Sequence, residues 1–260
     1  MQKKVWITSL SKDKDQITGL LQLVKKYGLA PDGHFWVDDL KKMAWQAPLE
    51  NIIAKETGLW IISGRQKDLE SDSVRYGLAL LCISVQNKKG TGFPIIFLCS
   101  DDTIKTANLP TPLKGCEIID SNNKSLGAKI TARANTPVKK ISNEYRIDIH
   151  ASQSYGIWFE FGPAKGDIWD GVLAGGLKSE INAHGVGKSG SLPLKTVLEY
   201  QMQGLKLELN NDEYSAWAVK NTIDETLSYY VKFTDIPGNI LFGQMPDEDS
   251  EADFHLLNLV

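Results

Sequence analysis

Residues 58–101 read GLWIISGRQKDLESDSVRYGLALLCISVQNKKGTGFPIIFLCSD, and this stretch decides the fold. LWIIS and FPIIFLCSD are apolar runs with no polar residue on alternate positions, so each reads as a strand buried on both faces. Between them, SDSVRYGLALLCISVQ opens on serine and aspartate and continues as a helix. A strand covered on both sides belongs to a parallel sheet, where crossover helices do the covering. The segment is therefore strand–helix–strand of an α/β layer.

The same alternation extends upstream. KVWITSL is a β-rich apolar run. DKDQITGLLQLVKKYGL repeats Ile17, Leu20, Leu21 and Val24 at helical spacing and closes on Gly28. HFWVDDL predicts a short second strand, and WQAPLENIIAKETG a helix from about Pro48. Downstream the character changes after the turn-rich TIKTANLPTPLKG. AKITAR, EYRIDIHA, YGIWFEF, LKLELN, YSAWAVK, LSYYVKF, NILFGQ and FHLLNLV alternate apolar and polar residues, with Gly, Pro, Asn and Asp between them, as in an antiparallel sandwich or barrel. In LSYYVKF, the aromatics of Ser228–Tyr230 should face opposite ways. The sequence thus predicts an α/β domain over 1–110, a linker over 111–124 and a β-rich domain over 125–260.

Composition narrows the class. The chain has 260 residues, a formal charge of −3, 42% hydrophobic and 23% charged residues, which predicts a soluble globular protein without general affinity for nucleic acid. No run approaches membrane length, so no membrane association is expected. Three cysteines, Cys82, Cys99 and Cys116, fit neither a disulfide nor a zinc framework and predict reduced thiols in a cytoplasmic protein. The four histidines stand apart, and no metal site is expected. HGVGKSG, His184–Gly190, ends like a phosphate-binding loop, but Asn182 holds the place of its first glycine and Pro193 opposes a following helix. It reads as a Gly/Ser turn between β segments. The acidic PDEDSEAD near the end reads as a solvated loop.

The first half resembles a Toll/interleukin-receptor (TIR) domain of the bacterial type, a flavodoxin-like fold. VWITSLSKDKD is similar to the family's first strand and polar loop, WVDDLKKMAWQAPLENII to its second box, and GLWIISGRQKDLESDSVRYGLALL to the next strand and helix, with FPIIFL the following core strand. The resemblance implies a ligand cleft for NAD or a related nucleotide. The strand-end residues Ser9, Ser11, Asp13, Ser63 and Arg65, with Trp45 of the second box, are its candidates, since an open parallel sheet gathers ligands at the carboxyl ends of its strands. Their other reading is structural: Ser9 and Ser11 shape a turn, Asp13 caps a helix, and Trp45 packs. Enzymatic members carry a glutamate in the helix that begins near Ser73, but the matching position here is Gly77. Glycine can neither exchange a proton nor stabilise an oxocarbenium-like centre. Glu70, seven residues earlier, is the catalytic candidate that remains.

In the second half, SYGIWFEFGPAKGDIWDGVLAGG gathers aromatics and acids. Trp158, Trp169 and Asp170 are its ligand candidates, against a reading in which the aromatics are core. The expected function is signalling or defence in bacteria through self-association or nucleotide binding, with the β domain recognising a partner and no cofactor required. The alternatives are an NAD-consuming hydrolase using another acid, and a carbohydrate- or peptide-binding module.

Overall fold

The computed structural model describes residues 2–101, 104–246 and 254–260. It divides into two compact units, Met1–Ile141 and Ser142–Val260.

The first unit is a parallel sheet of five strands in the order β2-β1-β3-β4-β5, a flavodoxin-like arrangement. Its strands are β1 (Lys4–Ser9), β2 (Ala30–Phe35), β3 (Thr57–Gly64), β4 (Ile95–Cys99) and β5 (Glu117–Asp120). The helices are α1 (Lys14–Lys26), α2 (Leu49–Ile53), α3 (Asp72–Lys89) and α4 (Leu126–Asn135). Val5, Ile7, Leu59, Ile61, Ile96, Leu98 and Ile119 line one sheet face and bury Leu20 and Val24 of α1 and Ile130 of α4. On the opposite face Trp60 is fully buried and donates through Nε1 to Thr8 Oγ1 at 2.9 Å. α3 is buried without a break from Tyr76 to Val85, which explains why its sequence shows so little amphipathic contrast.

Two boundaries differ from the sequence reading. The stretch expected to be linker contains β5, which pairs in parallel with β4, Ile96 against Glu117 through Cys99 against Asp120. AKITAR lies within α4 rather than in a strand. Its Ile130 and Ala134 recur at helical spacing and complete the first core, and that core extends the first unit to Ile141.

The second unit holds two antiparallel sheets, of order β10-β11-β8-β13-β14 and β6-β7-β12-β9. The strands are β6 (Tyr145–Ser152), β7 (Gly156–Pro163), β8 (Trp169–Leu177), β9 (Ile181–Lys188), β10 (Met202–Leu209), β11 (Asp212–Ile223), β12 (Leu227–Phe233), β13 (Asn239–Gln244) and β14 (Phe254–Asn258). Phe161 of β7 stacks on Phe242 of β13 at 4.3 Å between ring centroids, joining the two sheets as a sandwich. The stretch HGVGK belongs to β9 instead of to a turn, and the turn starts only at Ser189. A Cβ on Gly187 would stand 2.5 Å from Pro193 Cβ, and one on Gly185 would stand 3.4 Å from Thr196 Cβ. The alternate glycines thus let the 189–200 segment fold back onto the sheet. There Thr196 Oγ1 accepts from Val186 N (2.7 Å) and donates to Val186 O (2.9 Å), satisfying the edge strand.

Among the described residues, no helix is long and apolar enough to cross a membrane. The acidic run 247–253 lies outside the described residues.

Candidate functional site

The parallel register aligns the strand ends of the first unit. Ser9 lies beside Phe35 on one side and Ser63 on the other, and Gly64 beside Cys99. The sheet order reverses between β1 and β3, so this edge is where a ligand crevice would open. Side chains pack closely at two points near it. Gly64 lies under Leu10, whose Cδ1 would stand 2.9 Å from an added Cβ. Trp36, whose amide donates to Ser9 O at 2.7 Å, lays its indole over Gly77. A Cβ at position 77 would meet Trp36 Cζ2 at 2.9 Å and Trp45 Cβ at 3.5 Å. Position 77 is therefore roofed by tryptophan.

The candidate residues take mainly structural parts. Ser9 Oγ donates to Ser11 O at 2.6 Å and shapes the turn. Asp13 caps α1, accepting from Gln16 N at 3.0 Å. Trp45 is only 1% exposed and packs in a single 3₁₀ turn. Arg65 reaches Asp68 at 3.5 Å while Asp68 Oδ2 accepts the Arg65 amide at 2.8 Å. Glu70 is exposed at the end of a 3₁₀ turn ahead of α3. Ser63 differs from the rest. It is buried, and its Oγ has no hydrogen-bond partner, nor do Trp36 Nε1 and Trp45 Nε1. Each orphaned group is destabilising by roughly 1–3 kcal/mol. Asp38, which the sequence reading passed over, sits at the start of α3, accepting from Ser73 Oγ at 2.6 Å and Ser71 Oγ at 3.5 Å.

In the second unit the expected ligand residues do not converge. Trp158 lies on β7, half-buried, and donates to Tyr155 O at 3.2 Å. Trp169 is buried at the start of β8 in the other sheet, where Asp170 is exposed. Phe159 and Phe161 are core.

Strand pairing gathers a different set on the outer face of the four-stranded sheet. Glu160, 4% exposed, stands directly opposite Asp148 on β6 and Tyr230 on β12. Its Oε1 accepts from Ser228 Oγ (2.7 Å), Gly190 N (2.8 Å) and Ser189 Oγ (3.2 Å), while His150 Nε2 donates to Oε2 at 2.6 Å. Burial alone would raise the Glu160 carboxyl, but the bonds from His150, Gly190 and Ser228 outweigh it and hold the group at about 2. Arg146 completes the network. Nη1 lies 3.9 Å from Glu160 Oε1 and donates to Ser228 Oγ at 3.1 Å, Nε donates to Pro163 O at 3.0 Å, and Nη2 to Leu227 O at 2.9 Å. Gly162 lies beneath it, and a Cβ there, 2.3 Å from Arg146 Nη2, would make the guanidinium shift. Single-residue inspection could not reveal this cluster, since its members come from three strands and a turn. The period-two pattern of RIDIH was its only signal.

No family model matches the chain, and no curated protein matches it in sequence. Among solved structures, it is similar to a pilus assembly-related protein from Burkholderia pseudomallei K96243, at 13% identity and a TM-score of 0.35, over 53% of this chain and 95% of that one. A likeness of that size carries no functional assignment.

Proposed function

We propose that this chain is a TIR-like signalling or defence protein whose first unit acts by self-association, and whose β-sandwich recognises a partner. The observation that supports a non-hydrolytic role is the Trp36 indole lying against Gly77. Cleavage of a nicotinamide bond needs an acid beside the ribose, and here the acid is missing and its space is taken by an indole. Ser9 and Asp13 are engaged in a turn and a cap, which leaves Ser63 as the one buried candidate whose hydroxyl has no partner. A nucleotide reaching that edge would first displace Leu10 and Trp36, so binding there would be coupled to movement of the loops after β1 and β2.

Light scattering across a concentration series, with calorimetric titration of NAD and ADP-ribose and an assay for nicotinamide release, tests the reading. Assembly without nicotinamide release supports it. A strict monomer across the series sinks it, whichever compound it binds.

A second reading, an NAD-consuming hydrolase using another acid, rests on Asp38, whose carboxylate accepts from two serine hydroxyls at the head of α3. It expects nicotinamide release that Asp38→Asn abolishes and Glu70→Gln leaves intact.

A further inference from the structure

Pairing of β6 with β7 assembles three metal-ligand types that the sequence keeps apart. Asp148 and His150 alternate along β6 and so share a face, and Asp148 lies across from Glu160. A carboxylate oxygen of Asp148, an imidazole nitrogen of His150 and a carboxylate oxygen of Glu160 all lie within 4.8 Å of one another. Asp148 and Glu160 are only 8% and 4% exposed. Two carboxylates buried side by side repel each other, and their desolvation is offset by hydrogen bonds, among them Ile149 N to Asp148 Oδ1 at 2.8 Å, and by positive charge close at hand. Arg146 supplies one such charge, with Nη1 3.9 Å from Glu160 Oε1. Three donors, Ser189, Ser228 and the Gly190 amide, bond that same oxygen, and Oε2 is turned toward His150. Outer hydrogen bonds of this kind orient a ligating carboxylate and commit one oxygen to the inner position.

We propose that His150 Nε2, Glu160 Oε2 and a carboxylate oxygen of Asp148 form a binding site for a divalent transition-metal ion, with zinc as the reference ion. One imidazole with two carboxylates is a donor set that suits zinc, manganese or ferrous iron, and three protein ligands leave a position for water or for an anionic group of a partner. With bonds of about 2.0–2.2 Å the ligand atoms would stand about 3–3.5 Å apart. The His150–Glu160 contact of 2.6 Å would therefore open by about 0.4–0.9 Å as the ion replaces the Nε2 proton, which passes to solvent. The three ligands sit on two adjacent paired strands, and the widest of their separations, within 4.8 Å, would close as the ion binds. The bound ion would also tighten the tie between the sheet and the 189–200 segment, since Ser189 and Gly190 hang from Glu160.

The test is made on the full chain after chelator treatment and dialysis. Zinc is titrated calorimetrically, and cobalt is added separately for its absorption spectrum. One ion per chain is expected, with affinity falling at least about ten-fold in both Asp148→Asn and His150→Gln, and a cobalt spectrum free of thiolate charge transfer. A zinc-induced rise in the unfolding midpoint of the parent chain gives a measurement that needs no variant. Absence of saturable uptake, affinity unchanged in both variants, or a cobalt–thiolate band from the buried cysteines would overturn the proposal.

Discussion

Gly77 and Trp36 form a pair whose coupling has a defined sign. An alanine in mid-helix is about 1 kcal/mol better than glycine, so Gly77→Ala in α3 would stabilise the first unit if space allowed. The added Cβ would stand 2.9 Å from Trp36 Cζ2 and 3.4 Å from Cη2. Both are ring carbons of a side chain that is 7% exposed, so they cannot swing aside like the end of a lysine. Overpacking of this kind is destabilising by about 1–3 kcal/mol, which outweighs the propensity gain and leaves Gly77→Ala about 1 kcal/mol worse than the parent. Trp36→Leu removes the two offending carbons, while Trp45 Cβ at 3.5 Å remains in ordinary contact. In that background Gly77→Ala should stabilise by about 1 kcal/mol, so the double-mutant cycle yields a coupling of about 2 kcal/mol with a reversal of sign. Urea unfolding followed by helical circular dichroism measures it cleanly, because α1 to α4 all lie in the first unit. If alanine stabilised the parent, and the coupling fell within about 0.5 kcal/mol of zero, the account of Gly77 as a seat for Trp36 would be wrong.

Other perturbations have equally definite outcomes. The folded Glu160 carboxyl lies at about 2 against an ordinary 4.5, so its contribution is complete above pH 4.5 and is lost as pH falls toward 2. In chelator, the second unit should therefore lose about 3 kcal/mol across that interval, and Glu160→Gln should flatten the loss when unfolding is followed by urea titration at several pH values. Gly187→Ala would push Pro193 off the sheet, and proteolysis within 189–200 should quicken while the first unit's unfolding midpoint stays fixed. Asp13→Ala removes the cap of α1 and should lower the first unit's stability by about 1 kcal/mol in the same helical signal.

The sequence shows the layered first half because burial there is written locally. LWIIS and FPIIFL are apolar on every position, and Ile17, Leu20, Leu21 and Val24 recur at helical spacing, so each element announces its own period. It hides β8 and β9, whose GVLAGGL and HGVGK look like turns because their glycines answer to neighbours elsewhere in the chain. Gly176 is glycine because Phe233 and Ser179 crowd it, and Gly187 because Pro193 does. It also hides β5, whose four residues gain their strand character from pairing with β4. At the candidate site, the glycine at 77 is legible from the residue itself, but the tryptophan that packs on it is not.

Local periodicity and composition thus determine the two classes of layer, and the residue types alone show glycine at position 77 and polar side chains where the strands end. Tertiary packing alone decided that Leu10 lies against Gly64 and Trp36 against Gly77. It also decided that Arg146, Asp148, His150 and Glu160 share one buried patch. The physical reason is range. A hydrophobic period reports which face of an element leaves water, whereas the filling of a crevice and the charge around a carboxylate depend on which distant segment arrives there, and that is set by strand register and side-chain volume after the chain has folded.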